Sequence, residues 1–451
     1  MDIDGILLVV TLANIFFLST GLAGVDFGYA SEICAVLLAI VLIWGAKRFF
    51  KSLSAFLSNS KSAVLIATAF YFSADAVNFF IFGDLVLAWQ KYRVVAVLML
   101  IFASICILRY RGDLTKLVLL AVGLSSVTVS LYTLAYYFLP LKLPLYYTAR
   151  FSMRRDYNMY AAQLVTGLIA LVFGAIATKR KKVLAALAAL LPANLALAVL
   201  SGSRRVLIML PVVIVVLTVA LLTAGLRPYG MFRTGAAFGC ILVIVALSVG
   251  ETALFRHGLA QINAPGSQTR RIAQAPAAET ELIERYETIR SSSILEKRKV
   301  IWGIALESLS KYSAFELVFG RGGGENILLY DQITAPLDVI YPDRTARLGA
   351  LSAHNMLLAD LLDGGIIKLA ALIYLVFAVA ISCIFIALKR PFTGFPIGMI
   401  LAICMINSLV SNRFGLLYDR YFVLFAALVA VEYQTVKAQA CDRRIRGGNS
   451  K

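Results

Sequence analysis

Apolar runs long enough to cross a bilayer recur from one end of this chain to the other, separated by short polar breaks. A hydrocarbon core of roughly 30 Å takes about 20 residues of helix to span, so this pattern constrains the fold more than any other feature. Continuous runs of that length predict membrane helices at about 5–22, 31–46, 62–82, 93–108, 117–139, 158–178, 183–200, 206–224, 234–255, 366–388, 395–412 and 415–433, about twelve in all. With 60% hydrophobic and 15% charged residues and a mean hydropathy of +0.84, the 451-residue chain lies outside the soluble globular range. The expected fold class is all-α: one polytopic helical bundle carrying a partly helical loop domain.

A formal charge of +18 would suggest nucleic acid as a partner for a soluble protein. Here the basic residues fall mostly in clusters between apolar runs, where they face anionic headgroups, so a lipid bilayer and no nucleic acid is the expected partner. Alternate breaks carry these clusters: Lys47, Arg48, Lys51 and Lys61; Arg109, Arg111 and Lys116; Lys179 to Lys182; Arg227 and Arg233; Lys389 and Arg390; Arg443, Arg444 and Arg446. The positive-inside rule makes these cytoplasmic, together with both termini. Cys34, Cys106, Cys240, Cys383 and Cys404 fall within apolar runs and Cys441 in the polar tail, a pattern with neither a disulfide framework nor zinc spacing. The first residues, Met1 to Gly5, lack the positive flank of a secretory signal, so the first run is expected to stay as a helix.

Several outward breaks oppose the rule that the rest of the chain obeys. The connection at 140–157 carries Lys142, Arg150, Arg154 and Arg155 against Asp156, and the turn Ser201 to Arg205 ends in Arg204 and Arg205. A further arginine, Arg413, lies in the last outward turn. Snorkelling to outer-leaflet phosphates accounts for any one of them; recurrence on one face favours a shared anionic ligand.

The longest polar segment, 256–350, continues through a short helix to 365, giving expected divisions at 1–255, 256–365, 366–436 and 437–451. Within it, Ser293 to Glu296 matches a capping box, and Trp302, Leu306 and Leu309 follow at i, i+4 and i+7, predicting an amphipathic helix over about 294–319. The glycine-rich run Arg321 to Asn326 follows a helix rather than a strand and lacks a phosphate-loop ending. It reads as a helix terminus and hinge, with anion binding through its amides as the minor alternative. Asp2 and Asp4 formally resemble a metal-binding pair, but a tail position makes chance the better account.

One of only two histidines, His354, stands where the polar segment meets an apolar span. Ser352 can cap a helix from about Ala353 to Gly364 and Gly365, with Leu357, Leu358, Leu361 and Leu362 as its apolar stripe. His354 would then sit in the first turn, where the positive end of the helix dipole favours the neutral imidazole of a general base. A packing or capping histidine is the bland alternative. Asn355 beside it can orient a hydroxyl, and Asp360 and Asp363 lie on the same short helix; Asp75 falls near the middle of the third span with Asn78 one turn away, a group expected to be satisfied internally, with a proton pathway as the minor alternative. No required metal or cofactor is expected, since no His, Cys and carboxylate cluster has ligand spacing.

Four segments, in chain order, carry a resemblance: Arg150, Phe151 and Ser152 followed by Asn158 to Ala162; Ser201, Ser203, Arg204 and Arg205; Arg298 and Trp302 followed by Phe319, Gly320 and Gly322; and Ala353, His354 and Asn355 followed by Asp363, Gly364 and Gly365. Together they resemble the bacterial O-antigen ligase and polysaccharide polymerase superfamily over about residues 140–390. Residues 152–157 depart from the family's Gly and Pro, which leaves Arg150, Arg154 and Arg155 as alternatives for one role. The resemblance implies a metal-independent glycosyltransferase of the bacterial inner membrane, its large loop periplasmic. It implies an undecaprenyl-diphosphate-linked oligosaccharide as donor and a glycan or lipid A core as acceptor. His354 and Arg204 would be the catalytic residues, with Arg150, Arg155, Asn158, Arg205, Arg298 and Asn355 binding substrate. Polymerase, ligase and protein glycosylation stay open, with polymerase favoured; a flippase or transporter is the different class, and it would gather ionisable residues near the midplane rather than at outer ends.

Overall fold

A computed structural model describes residues 2–20, 27–59, 62–138, 157–177, 193–198, isolated positions between 201 and 213, 293–332, 352–411 and 414–448. Among these the regular structure is entirely helical: α1 (Ile3–Thr20), α2 (Phe27–Trp44), α3 (Ala46–Asn59), α4 (Ala63–Phe80), α5 (Leu85–Ile107), α6 (Leu114–Phe138), α7 (Tyr157–Ala177), α8 (Ser293–Ser310), α9 (Ala314–Phe319), α10 (Glu325–Gln332), α11 (Met356–Lys389), α12 (Pro391–Ser411) and α13 (Arg420–Gly448). Seven described helices are long and apolar enough to cross a membrane, or eight if the bent pair α2 and α3 counts as one span. The chain is a helical membrane protein. The seventh, eighth and ninth expected spans fall largely outside the described residues.

Helix ends follow local chemistry. Pro391 opens α12, where its missing N–H costs nothing. The Asp419 carboxylate accepts from the amides of Tyr421 and Phe422 at 2.9 and 3.0 Å and so caps α13. That helix continues to Gly448, where the sequence suggested a separate basic tail. The fourth span begins at Leu85, eight residues before its expected start, so Lys91 is helical instead of lying in a polar connection. At the N-terminus, the Asp2 carboxylate accepts from the Gly5 amide and Asp4 pairs with Arg48, which accounts for both acids structurally.

The chain divides into two compact units: 1–49, 107–290 and 390–403; and 50–106, 291–389 and 404–451. In the first, α1 packs against α2 and α6, and α6 against α7. Buried polar side chains join these apolar helices: Asn194 donates to Ser126 at 2.8 Å and accepts from Ser130, while the hydroxyls of Thr133 and Tyr160 meet at 2.8 Å. Each such bond contributes about 0.6 kcal/mol in lipid. In the second unit α4 lies along α11, α13 packs on both, and α8, α9 and α10 gather on α11.

Candidate functional site

The region around His354 is built on a broken helix. Gly365, at φ 62° and ψ −160°, divides α11 into a short segment, 356–364, and a long apolar one, 366–389. The stop at Gly364 and Gly365 expected from sequence is therefore where the kink lies. The start differs: Met356 is the first helical residue, and Asn355 is the cap, its side-chain oxygen accepting from Leu357 N at 2.9 Å and Leu358 N at 3.3 Å. Ser352 instead accepts from His354 N at 3.4 Å. His354 thus precedes the helix rather than occupying its first turn. It is half-buried with φ 49°, and among the described residues it is the one non-glycine residue at positive φ. A left-handed backbone costs a Cβ-bearing residue roughly 1–2 kcal/mol, and such strain persists where the surroundings impose it.

Those surroundings are a small packed body. Ala353 is fully buried and its N–H donates to Asn326 O on α10 at 3.2 Å. Ala353, Ala359 and Leu362 share a core with Ile301 and Ala305 of α8, Tyr312, and Leu329 and Tyr330 of α10. The stripe of α8 centres on Ile301, Ala305 and Ser308; of the expected Trp302, Leu306 and Leu309, Trp302 and Leu309 pack partly buried against the same core, and Leu306 faces outward. On the short segment of α11, Leu362 of the expected stripe is buried together with Met356, Ala359, Asp360 and Asp363, Leu358 packs partly buried on the same core, and Leu357 is turned out. Expected as one helix to 319, the region breaks after Ser310 because Ser313 and Glu316 form a reciprocal capping box that starts α9. The side chains of the box proposed at Ser293 to Glu296 lie outside the described residues. Arg298 stands one turn before Ile301, on the helix packed against Ala353, so this body carries both Arg298 and His354. Burial pushes the Tyr330 phenol well above its ordinary value and the Arg298 charge opposes that rise, which sets Arg298 beside α10.

The glycine-rich run is a joint with its amides already used. Arg321 N donates to Leu362 O at 3.2 Å, Gly322 N to Asp363 O at 2.9 Å and Gly323 N to Asn78 O at 2.8 Å, so these three amides do not cradle an anion. A Cβ on Gly322, at φ 111°, would lie 1.9 Å from Phe82 O. The loop clamps the C-terminal end of the short α11 segment to the α4–α5 turn. Beside it, Arg321 pairs with Glu316 at 2.9 Å and stacks on the Tyr312 ring at 4.3 Å. Burial holds the Glu325 carboxyl above its ordinary value, Arg321 opposing the rise and Asp363 adding to it.

Beneath the joint lies a buried ionic network. The Lys368 ammonium meets Asp75 at 2.9 Å, Asp360 at 3.1 Å and Asp363 at 3.5 Å. Asp75 also takes the Lys91 ammonium at 2.6 Å and the Tyr92 hydroxyl at 2.5 Å; Tyr71 donates to Asp360 at 2.6 Å; and Asn326 gives Asp363 its backbone and side-chain N–H at 2.9 and 2.8 Å. All five charged side chains are nearly inaccessible. Sequence reasoning placed the charges at outer ends and missed Lys91 and Lys368. The signal was present: a lysine three residues into an apolar run is tolerated in a membrane when carboxylates meet it. Asp75 lies five residues before the end of α4, about 8 Å of helix rise, so the network sits toward the α4–α5 turn.

In the other unit the structure joins two further predicted segments. Asn158, at the start of α7, accepts from Ser203 Oγ at 2.9 Å. The turn is fixed by Ser201, whose hydroxyl donates to Ala198 O at 2.6 Å and accepts from Ser203 N at 3.3 Å. Arg205 is buried, 8% exposed, and its carbonyl accepts from Met209 N at 2.8 Å. Arg150, Arg155 and Arg204 lie outside the described residues, as does Arg413.

No family model matches the chain. A search of curated proteins gives no match either.

Proposed function

We propose that the chain is a glycan transferase of the O-antigen ligase and polymerase superfamily, moving an undecaprenyl-diphosphate-linked oligosaccharide onto an acceptor sugar hydroxyl. The observation that carries this reading is His354: a half-buried histidine in a strained left-handed conformation, directly before an Asn-capped helix and on the same packed body as Arg298. Strain retained at a polar, partly exposed side chain favours a working residue over a packing one. The bond between Asn158 and the Ser201–Arg205 turn adds support, because it joins two of the four segments that carry the family resemblance.

In this mechanism the acceptor oxygen attacks the anomeric carbon as the bond to the diphosphate oxygen breaks. His354 orients the hydroxyl and takes its proton, and the departing diphosphate carries the negative charge. Arg204, with Arg150, Arg155, Arg205 and Arg298, stabilises that charge through guanidinium forks that remain charged at any working pH. Losing one well-placed donor raises the barrier by about 3–4 kcal/mol, a factor of 10² to 10³. The proposal includes about twelve spans in the bacterial inner membrane, with both termini cytoplasmic and the 256–365 segment periplasmic. The favoured activity is polymerisation of O-antigen or exopolysaccharide, with ligation to lipid A core as the alternative. Expression in a strain lacking its own polymerase decides between them: long glycan ladders support polymerisation, single-repeat capping of lipid A supports ligation, and neither product overturns the proposal.

The five buried charged groups of the Lys368 network are the observation behind one other reading, a polysaccharide transporter, although they lie toward the α4–α5 turn rather than near a span midplane. Purified chain in vesicles separates the two, since transfer creates a new glycosidic bond and transport leaves the lipid-linked glycan intact.

A further inference from the structure

A second surface lies far along the sequence from His354. Helix α2 meets α3 at Gly45 with a bend of 89°, so when α2 crosses the membrane α3 runs along its surface. A Cβ at Gly45 would lie 2.3 Å from the Phe49 ring, which ties the corner to that side chain. On α3, Phe49 and Phe56 are buried, whereas Phe50 is 75% and Leu57 53% exposed. At about 100° per residue, Phe50 and Leu57 share one sector, and Lys47, Lys51, Ser54 and Ser58 occupy the next. Lys47, Lys51, Ser54 and Ser58 are all exposed, and α3 carries no acidic residue. Arg48 is turned to a different use, pairing with Asp4 at the start of α1. Ile43 and Trp44, at the end of α2, continue the exposed apolar surface at 74% and 70%.

We infer that α3 is an in-plane interfacial helix that binds anionic phospholipid headgroups through Lys47 and Lys51, with Phe50 and Leu57 seated among the acyl chains. An apolar sector beside a cationic one matches the two layers of a membrane surface, where lysine stems cover hydrocarbon and their ammonium groups reach lipid phosphates. A juxtamembrane lysine gains about fivefold in local affinity for an anionic surface. The sequence showed a basic connection here; the helix turns it into a surface with a defined lipid-facing side.

The full chain is reconstituted in nanodiscs of phosphatidylcholine, alone or with phosphatidylglycerol, and acylated with a water-soluble amine reagent. Lys47 and Lys51 are expected to react about fivefold more slowly in the anionic discs, with the difference abolished at about 1 M salt, where the Debye length is about 3 Å. Lys311, exposed and paired with Glu307 on α8, reacts equally in both and serves as internal reference. Phosphatidylglycerol carrying a photoreactive acyl chain is expected to label the peptide that holds Phe50 and Leu57. Equal acylation of Lys47 and Lys51 in the two discs, protection that persists in pure phosphatidylcholine as protein contact would give, or absence of label from 46–59 each overturns the inference.

Discussion

Replacing Lys368 by Met keeps most of the stem volume and deletes the one charge shared by three carboxylates. Its ammonium lies 2.9 Å from Asp75, 3.1 Å from Asp360 and 3.5 Å from Asp363, and the side chain is 1% exposed. At an effective dielectric of about 20, a unit charge 3 Å away contributes roughly 5 kcal/mol of attraction, most of which offsets the desolvation of the pair. Removing one partner leaves the desolvation uncompensated. The loss is not uniform. Asp75 keeps Lys91 and Tyr92, and Asp363 keeps two bonds from Asn326, whereas Asp360 keeps Tyr71. The expected cost of Lys368→Met is about 3–5 kcal/mol. Lys91→Met should cost about half that, because Lys368 still serves Asp75. Adding Asp360→Asn to Lys368→Met should recover part of the loss. Reversible unfolding in mixed micelles, titrated with SDS, reads all four proteins. A cost for Lys368→Met below about 1 kcal/mol, or an Asp360→Asn change that adds to the loss, would refute the network as the clamp between α4 and α11.

Ser313→Ala removes the cap of α9 and should cost about 1 kcal/mol, with faster hydrogen exchange at the Glu316 amide as the local sign. Glu325→Gln tests burial at the joint. A carboxyl raised in the folded state binds more protons folded than unfolded, so its unfavourable effect is absent below its ordinary value near 4.5 and grows as pH rises through the raised value. The variant should therefore melt above the native protein near neutral pH and together with it below about 4.5, whereas a neutral-pH loss would show that the 3.8 Å ion pair of Glu325 with Arg321 outweighs burial. Gly322→Ala should prevent accumulation of folded protein, because the new methyl meets the Phe82 carbonyl, and native-like expression would contradict that packing.

How much of this was legible in sequence depends on what each pattern measures. Hydropathy located most described spans because burial in lipid needs only composition and length. It failed at Lys91, which interrupts an apolar run and so looked like a connection; only the carboxylate of Asp75, sixteen residues away, makes it helical interior. Gly364 and Gly365 marked the kink because a left-handed backbone is local chemistry. The cap of that short segment was misread by three residues, since Ser352 and Asn355 are both competent and tertiary contact with Asn326 chooses between them. A capping box at Ser313 and Glu316 was there to be found, but an unbroken helical period masked it. Of the residues sequence singled out, the structure adds partners to Asn158 in one unit and to His354 and Asn355 in the other. The role of Lys368 needed the fold, because its three carboxylates come from two separate stretches of chain.

The most direct test of the functional claim is His354→Gly, assayed for transfer from an undecaprenyl-diphosphate-linked oligosaccharide by purified protein in proteoliposomes, alongside its unfolding midpoint. Glycine accepts the left-handed backbone, so relief of roughly 1–2 kcal/mol of strain should leave the variant at least as stable as the native chain. Loss of the imidazole proposed to take the acceptor's proton should reduce transfer by about 10²- to 10⁴-fold. A stable His354→Gly protein that transfers glycan at the native rate would contradict the account.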